Sequence, residues 1–118
     1  LLVEDEEAVR EMVHRVLTRY GYTVLTASHA REALRSSEKY EAFIHLMITD
    51  VVMPGGMSGR DLAERMSFIR PDMRVLYISG YTDSSISQND VLEPNVAFLQ
   101  KPFSPEILAR KVREVLGK

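Results

Sequence analysis

Cysteine is absent from the 118 residues. Neither a disulfide nor a thiolate metal site can form, and the chain is suited to a reducing cytoplasm, where it is expected to reside. No apolar run approaches the ~18 residues that cross a bilayer, and no basic, then hydrophobic, then small-residue leader opens the chain. Direct membrane contact is therefore not expected. An excess of either charge is also missing: 15 basic residues stand against 17 acidic ones, for a formal net charge of -2. Nucleic acids and anionic membranes need concentrated positive charge, so direct nucleic-acid binding is not expected either. Internal repeats, low-complexity tracts and an interdomain linker are lacking, and no Gly-rich phosphate loop or G-x-x-x-x-G-K-[ST] pattern follows any candidate strand. The last absence removes the ordinary nucleotide-binding reading.

What is present suits one ordinary domain covering 1–118, with 45% hydrophobic and 27% charged residues. It opens at Leu1-Leu2-Val3 without an initiator Met, an apolar run too short for a complete buried strand, so truncation of the first strand at Leu1 is expected. Val9, Met12, Val13, Val16, Leu17 and Tyr20 then recur at helical spacing, and Gly21 stops that helix. Residues 23–27 read as a short strand, and Ala30, Ala33 and Leu34 mark a helix running to about Tyr40. Residues 44–49, including His45, form a mostly apolar run of the kind that makes a central parallel strand, with Asp50 at its tip. Ser58, with Asp61 three residues on, predicts a capped helix carrying Leu62, Met66 and Ile69 inward and ending before Pro71. Residues 74–79 and 96–100 are further strands. The last helix starts at Ser104-Pro105, with Ile107, Leu108, Val112, Val115 and Leu116 directed inward. Between those two strands, 83–92 predicts a fourth helical segment weakened by Ser84, Ser85, Ser87, Asn89 and Asp90. Strict β/α alternation implies an α/β, doubly wound, five-stranded parallel sheet in the flavodoxin-like order 2-1-3-4-5, with helices on both faces.

Open sheets of this kind bind ligands beyond the carboxyl ends of their strands. Those tips carry Glu4 and Asp5, then Asp50, Ser79 and Lys101. Two like charges ~4 Å apart repel by roughly 4 kcal/mol at an effective dielectric of 20, so three clustered carboxylates call for a cation. Oxygen donors suit Mg²⁺ or Mn²⁺, and the absence of Cys together with no His at any tip argues against zinc. Asp50 is then either a ligand only or a nucleophile, since carboxylates do attack phosphoryl groups when cations neutralise the transferring oxygens.

The Glu4-Asp5 pair, Asp50-Val51-Val52-Met53-Pro54, Ser79-Gly80 and Lys101-Pro102-Phe103 resemble, in order and spacing, the receiver domain of two-component response regulators. The resemblance implies that Asp50 accepts a phosphoryl group from a phosphohistidine on a sensor histidine kinase or a histidine phosphotransfer domain. It implies that Mg²⁺ is held by Glu4, Asp5, Asp50 and the backbone carbonyl of Val52, and that Ser79 and Lys101 contact the phosphoryl oxygens. A cis Lys101-Pro102 peptide is implied as well. The Pro54-Gly55-Gly56-Met57-Ser58-Gly59 loop, Ser79-Gly80-Tyr81-Thr82 and 98–103 look like receivers attached to hybrid sensor histidine kinases, which would make this the cytoplasmic portion of such a kinase. Many relatives carry Asp, Thr and Tyr where this chain has Glu4, Ser79 and Phe98. Phe98 can fill the space into which that aromatic swings on activation, but it cannot make a hydroxyl hydrogen bond.

Singly, these residues have plainer readings. Glu4, Asp5, Glu6 and Glu7 would suit a helix N-terminus, worth ~0.3–1 kcal/mol each against the dipole. Asp50 would suit a turn, and Lys101 an exposed position before Pro102. Their joint placement at separate tips favours a phosphoryl site. His14, His29 and His45 and the six methionines read as structural or solvated groups, and Arg110, Lys111 and Arg113 as a solvated face. The expected output is a shift in the surface of the fourth and fifth strands and helices, with Ser79 and Phe98 as switch residues and a homodimer admitted as one partner state. A stand-alone response regulator is the alternative. An aspartyl phosphatase or mutase ranks lower, because such enzymes use a second acid two residues after the nucleophile, where this chain has Val52.

Overall fold

A computed structural model describes residues 1–52, 56–79 and 96–117. The helical segment expected at 83–92, the loop glycine Gly55 and the stretch from Gly80 to Thr82 lie outside the described residues. Five strands, β1 (Leu2–Val3), β2 (Thr26–Ala27), β3 (Leu46–Asp50), β4 (Arg74–Ser79) and β5 (Val96–Gln100), form one sheet in the order β2-β1-β3-β4-β5. Every neighbouring pair is parallel. The described helices are α1 (Glu7–Arg19), α2 (Ala30–Lys39), α3 (Gly59–Ile69) and α4 (Pro105–Val115). The expected strand order is borne out, as is the β/α alternation among the described residues.

Successive strand residues point to opposite faces, and the burial follows that period. Leu46, Ile48, Leu76 and Ile78 join Val13 and Leu17 of α1 and Leu108 and Val112 of α4. Met47, Val75 and Tyr77 join Ala30 and Ala33 of α2 and Leu62 and Met66 of α3. Both faces of β3 and β4 are covered, which is why these strands read as nearly continuous apolar runs. The crossover helices thus leave the strand tips as the open edge.

Local chemistry sets the helix ends. Gly21 takes φ +93°, its N–H donates to the Thr18 carbonyl at 3.0 Å, and the Tyr22 N–H donates to the Leu17 carbonyl at 3.1 Å. This is a Schellman closure at a position that favours glycine. Ser58 and Asp61 form the reciprocal capping box expected from their spacing, and Ser104 accepts the Ile107 N–H with Pro105 in the first turn. Arg70, the C-cap of α3, ties down the chain beyond α2. Its guanidinium donates to the Ser37 hydroxyl at 2.9 Å and to the Ser37, Tyr40 and Ala42 carbonyls at 3.1, 2.6 and 2.9 Å.

Five sequence expectations need correction. The strand at 23–27 shrinks to Thr26–Ala27, because pairing with β1 covers only those two residues. His45 is exposed rather than part of a buried strand; β3 begins at Leu46, and the His45 ring packs edge-on against Phe43 with centroids 4.7 Å apart. Ile107 is 49% exposed, since Leu108 and Val112 take the inward face of α4, and Ile69, expected inward, is exposed at the last turn of α3, whose buried face is carried by Leu62 and Met66. Tyr20, at the C-cap of α1, is likewise turned to solvent. Met47, Met66 and Met73 are buried, as core filling requires.

Candidate functional site

The parallel register brings the ends of β1, β3 and β5 to one edge. β1 stops at Val3, and the Glu4 N–H still bonds the Ala27 carbonyl at 3.0 Å, so Glu4 is pinned to the sheet and fully buried. Asp50 is the last residue of β3 and is 6% exposed. Lys101 follows β5, and its N–H donates to the Ser79 carbonyl at 2.7 Å. The Lys101-Pro102 peptide is cis, as the sequence resemblance implied.

Four side chains expected at the site meet there. The Lys101 ammonium lies 3.0 Å from Asp50 Oδ1 and 3.3 Å from Glu4 Oε2. Glu4, Asp5 and Asp50 each offer a carboxylate oxygen within 4.8 Å of the others. Ser79 is buried at the tip of β4, opposite Gln100 in the ladder, and reaches Lys101 through its backbone. Val52 is exposed beyond Asp50. Phe98 is half-buried, with its ring stacked on Tyr77 at 5.3 Å and tilted 25°.

The electrostatics follow from three acids sharing one ammonium. Burial, then the adjoining carboxyl of Glu4 and its charge, push the Asp50 carboxyl up to about 8, with Lys101 pulling the other way. Burial opposes the charge on Lys101, but the hydrogen bond and charge of Asp50, followed by those of Glu4, hold its ammonium above the usual lysine range. Excess negative charge thus favours a proton on Asp50 and on Lys101 alike. Glu4 Oε2 and Asp50 Oδ2 are buried without a hydrogen-bond partner. Two buried carboxylate oxygens that lack a hydrogen bond, beside an exposed third acid, fit a small hard cation, whose positive charge and oxygen preference would complete the set.

Sequence reasoning missed three contributors. Arg10 Nη1 donates to the Glu4 carbonyl at 2.8 Å, fixing α1 to the site. Glu6, read as one more N-terminal acid, sends its carboxylate to Lys101 at 3.3 Å, while its N–H donates to Glu4 Oε1 at 3.1 Å. Gly59 opens α3 directly against Asp50: its N–H donates to the Val51 carbonyl at 2.9 Å, and a Cβ there would overlap the Asp50 carbonyl oxygen. A glycine immediately after a Ser N-cap was the available signal for this close approach.

Comparison with known proteins agrees with this geometry. The family model described as the response regulator receiver domain matches residues 1–113. The chain is 39% identical over 118 residues to the sensor kinase CckA of Brucella abortus, covering all of this chain and 12% of that kinase. It is 29% identical over 116 residues to the response regulator receiver protein CpdR of the same organism, covering 98% of this chain and 94% of that protein. A crystal structure of the receiver domain from the hybrid histidine kinase CckA superposes with a TM-score of 0.81 at 34% identity, covering 98% of this chain and 95% of the other. With its acids and lysine gathered on one strand edge and the family match running through nearly its whole length, the chain belongs to the response regulator receiver domains of two-component signalling.

Proposed function

We propose that Asp50 is the phosphoacceptor of a phosphorelay. The observation that carries this reading is a buried carboxylate at the tip of the central strand, with one oxygen on Lys101 and the other without a partner. In the proposed step an Asp50 carboxylate oxygen attacks the phosphorus of a phosphohistidine. The P–N bond breaks, its electron pair leaves on the imidazole nitrogen, and that nitrogen takes a proton from solvent. Lys101 neutralises charge on the transferring oxygens, and Ser79 meets one of them with its hydroxyl.

Glu4, Asp5, Asp50 and the Val52 carbonyl would hold Mg²⁺ or Mn²⁺. When bound, such an ion supplies positive charge at the acceptor oxygen and the phosphoryl group. Glu4 replaces the shorter Asp of many relatives, and its longer arm still reaches Lys101. The partner is a sensor histidine kinase or a histidine phosphotransfer domain, and the likeness to CckA favours a receiver belonging to a hybrid kinase. Phe98, stacked on Tyr77, supports a switch that works by ring packing rather than by a hydroxyl at position 98. Incubation with acetyl phosphate, with and without Mg²⁺, tests the proposal by intact mass. The wild type should gain one phosphoryl group only with the cation and Asp50→Asn none; equal labelling of both would refute the assignment.

A further inference from the structure

An ammonium has three N–H donors, and Lys101 has three carboxylate oxygens around it: Asp50 Oδ1 at 3.0 Å, Glu4 Oε2 at 3.3 Å and Glu6 Oε1 at 3.3 Å. A phosphoryl oxygen gripped by Lys101 competes with these carboxylates for the ammonium, and the one with Glu6 is a hydrogen bond. The three are not equivalent. The Glu4 side chain is 1% exposed and anchored by the Glu6 N–H, and the Asp50 side chain is 9% exposed and is the acceptor itself. The Glu6 side chain is 63% exposed, so its carboxylate can return to water without leaving a buried charge behind.

The helix caps give a second, independent observation. His29, Ser58 and Ser104, the N-caps of α2, α3 and α4, each accept a backbone N–H three residues on. Glu6, the N-cap of α1, makes no such bond. Short side chains are preferred at that position because they reach back to their own helix. Here the longer glutamate instead reaches across to the end of β5.

We propose that Glu6 is a positioning residue whose carboxylate occupies, in the resting domain, the Lys101 N–H that a phosphoryl oxygen later takes. Its release to solvent accompanies donor binding, so Glu6 restrains the capture of anionic donors and sets the resting place of the lysine. The inference rests on the reading of Asp50 and Lys101 as the phosphoacceptor site.

Three variants of the whole chain test it: Glu6→Gln, which removes the charge; Glu6→Asp, which keeps the charge but shortens the arm; and Glu7→Gln, which makes the same charge change one residue away. The readouts are the KM and kcat of Asp50 phosphorylation by acetyl phosphate with Mg²⁺, and the Kd of beryllium fluoride followed by NMR. An exposed pair of this kind is worth at most a few-fold, so Glu6→Gln and Glu6→Asp should both lower KM and Kd by about 2- to 5-fold with kcat within about twofold. Glu7→Gln should match the wild type. If Glu6→Asp matches the wild type while both Gln variants tighten binding, the effect is the general field and the proposal is overturned. An unchanged or raised KM in Glu6→Gln, with the wild type labelled at Asp50, overturns it alone. A wild type that is never labelled overturns the phosphoacceptor reading beneath it. Should one Glu6 variant fail to fold, the other still decides between reach and charge.

Discussion

Consider Asp50→Asn in a chain kept free of divalent cations. At an effective dielectric of 20, the 3.0 Å contact with Lys101 attracts by about 5.5 kcal/mol, while each acid within 4.8 Å repels by about 3.5 kcal/mol or more. The exposure of Asp5 screens its part of that repulsion. Two repulsions therefore offset one attraction, and burial decides the sign against the charged carboxylate. The folded-state value of about 8 lies above the ordinary 3.8, so between about pH 4 and 8 the native chain binds more protons than the unfolded one. Stability then falls as pH rises through that window. The whole shift would correspond to roughly 5–6 kcal/mol; side-chain relaxation and water entering beside Lys101 reduce this, and we expect about 1–3 kcal/mol. Asp50→Asn, which cannot ionise, should be the more stable protein by that amount at pH 8 and should lose the advantage near pH 4. Urea unfolding with EDTA at both pH values measures it. Mg²⁺ at about 100 times its Kd should then raise the wild type by about 2.7 kcal/mol and close most of the gap. A metal-free Asp50→Asn equal to or weaker than wild type at pH 8 would refute the reasoning.

Gly59→Ala should cost about 2–4 kcal/mol in urea unfolding and depress Asp50 labelling, because its Cβ meets the Asp50 carbonyl rather than open space; a change under about 0.5 kcal/mol would show that α3 can shift freely. Arg70→Ala should cost about 1–3 kcal/mol and raise amide exchange over 37–43, since it removes the donors holding three carbonyls and the Ser37 hydroxyl. Leu108→Ala, a fully buried position, should cost about 2–5 kcal/mol, against under about 1 kcal/mol for Ile107→Ala on the exposed side of the same helix. Comparable losses from the two would contradict the assigned face of α4.

The β/α alternation, the strand order and the gathering of Glu4, Asp50 and Lys101 were legible because each rests on a strong local signal: continuous apolar runs, caps such as Ser58 and Ser104, and acids or a lysine just past a strand. His45 and Ile107 were not, because an apolar run does not say where a ladder begins, and one turn of helix separates an inward residue from an outward one by a single step. Glu6 and Gly59 escaped for another reason. Their roles depend on contacts with residues 95 and 9 positions away, and only the packing of α1 and α3 against the strand tips creates those contacts.

The most direct test of the central claim is to locate the phosphoryl group itself. After acetyl phosphate and Mg²⁺, borohydride reduction converts an aspartyl phosphate to homoserine, and peptide mass spectrometry reads its position. The structure predicts homoserine at position 50, lost in Asp50→Asn and sharply reduced in Lys101→Ala. Modification at Asp5 or Glu4, or none at position 50 in the wild type, would contradict it.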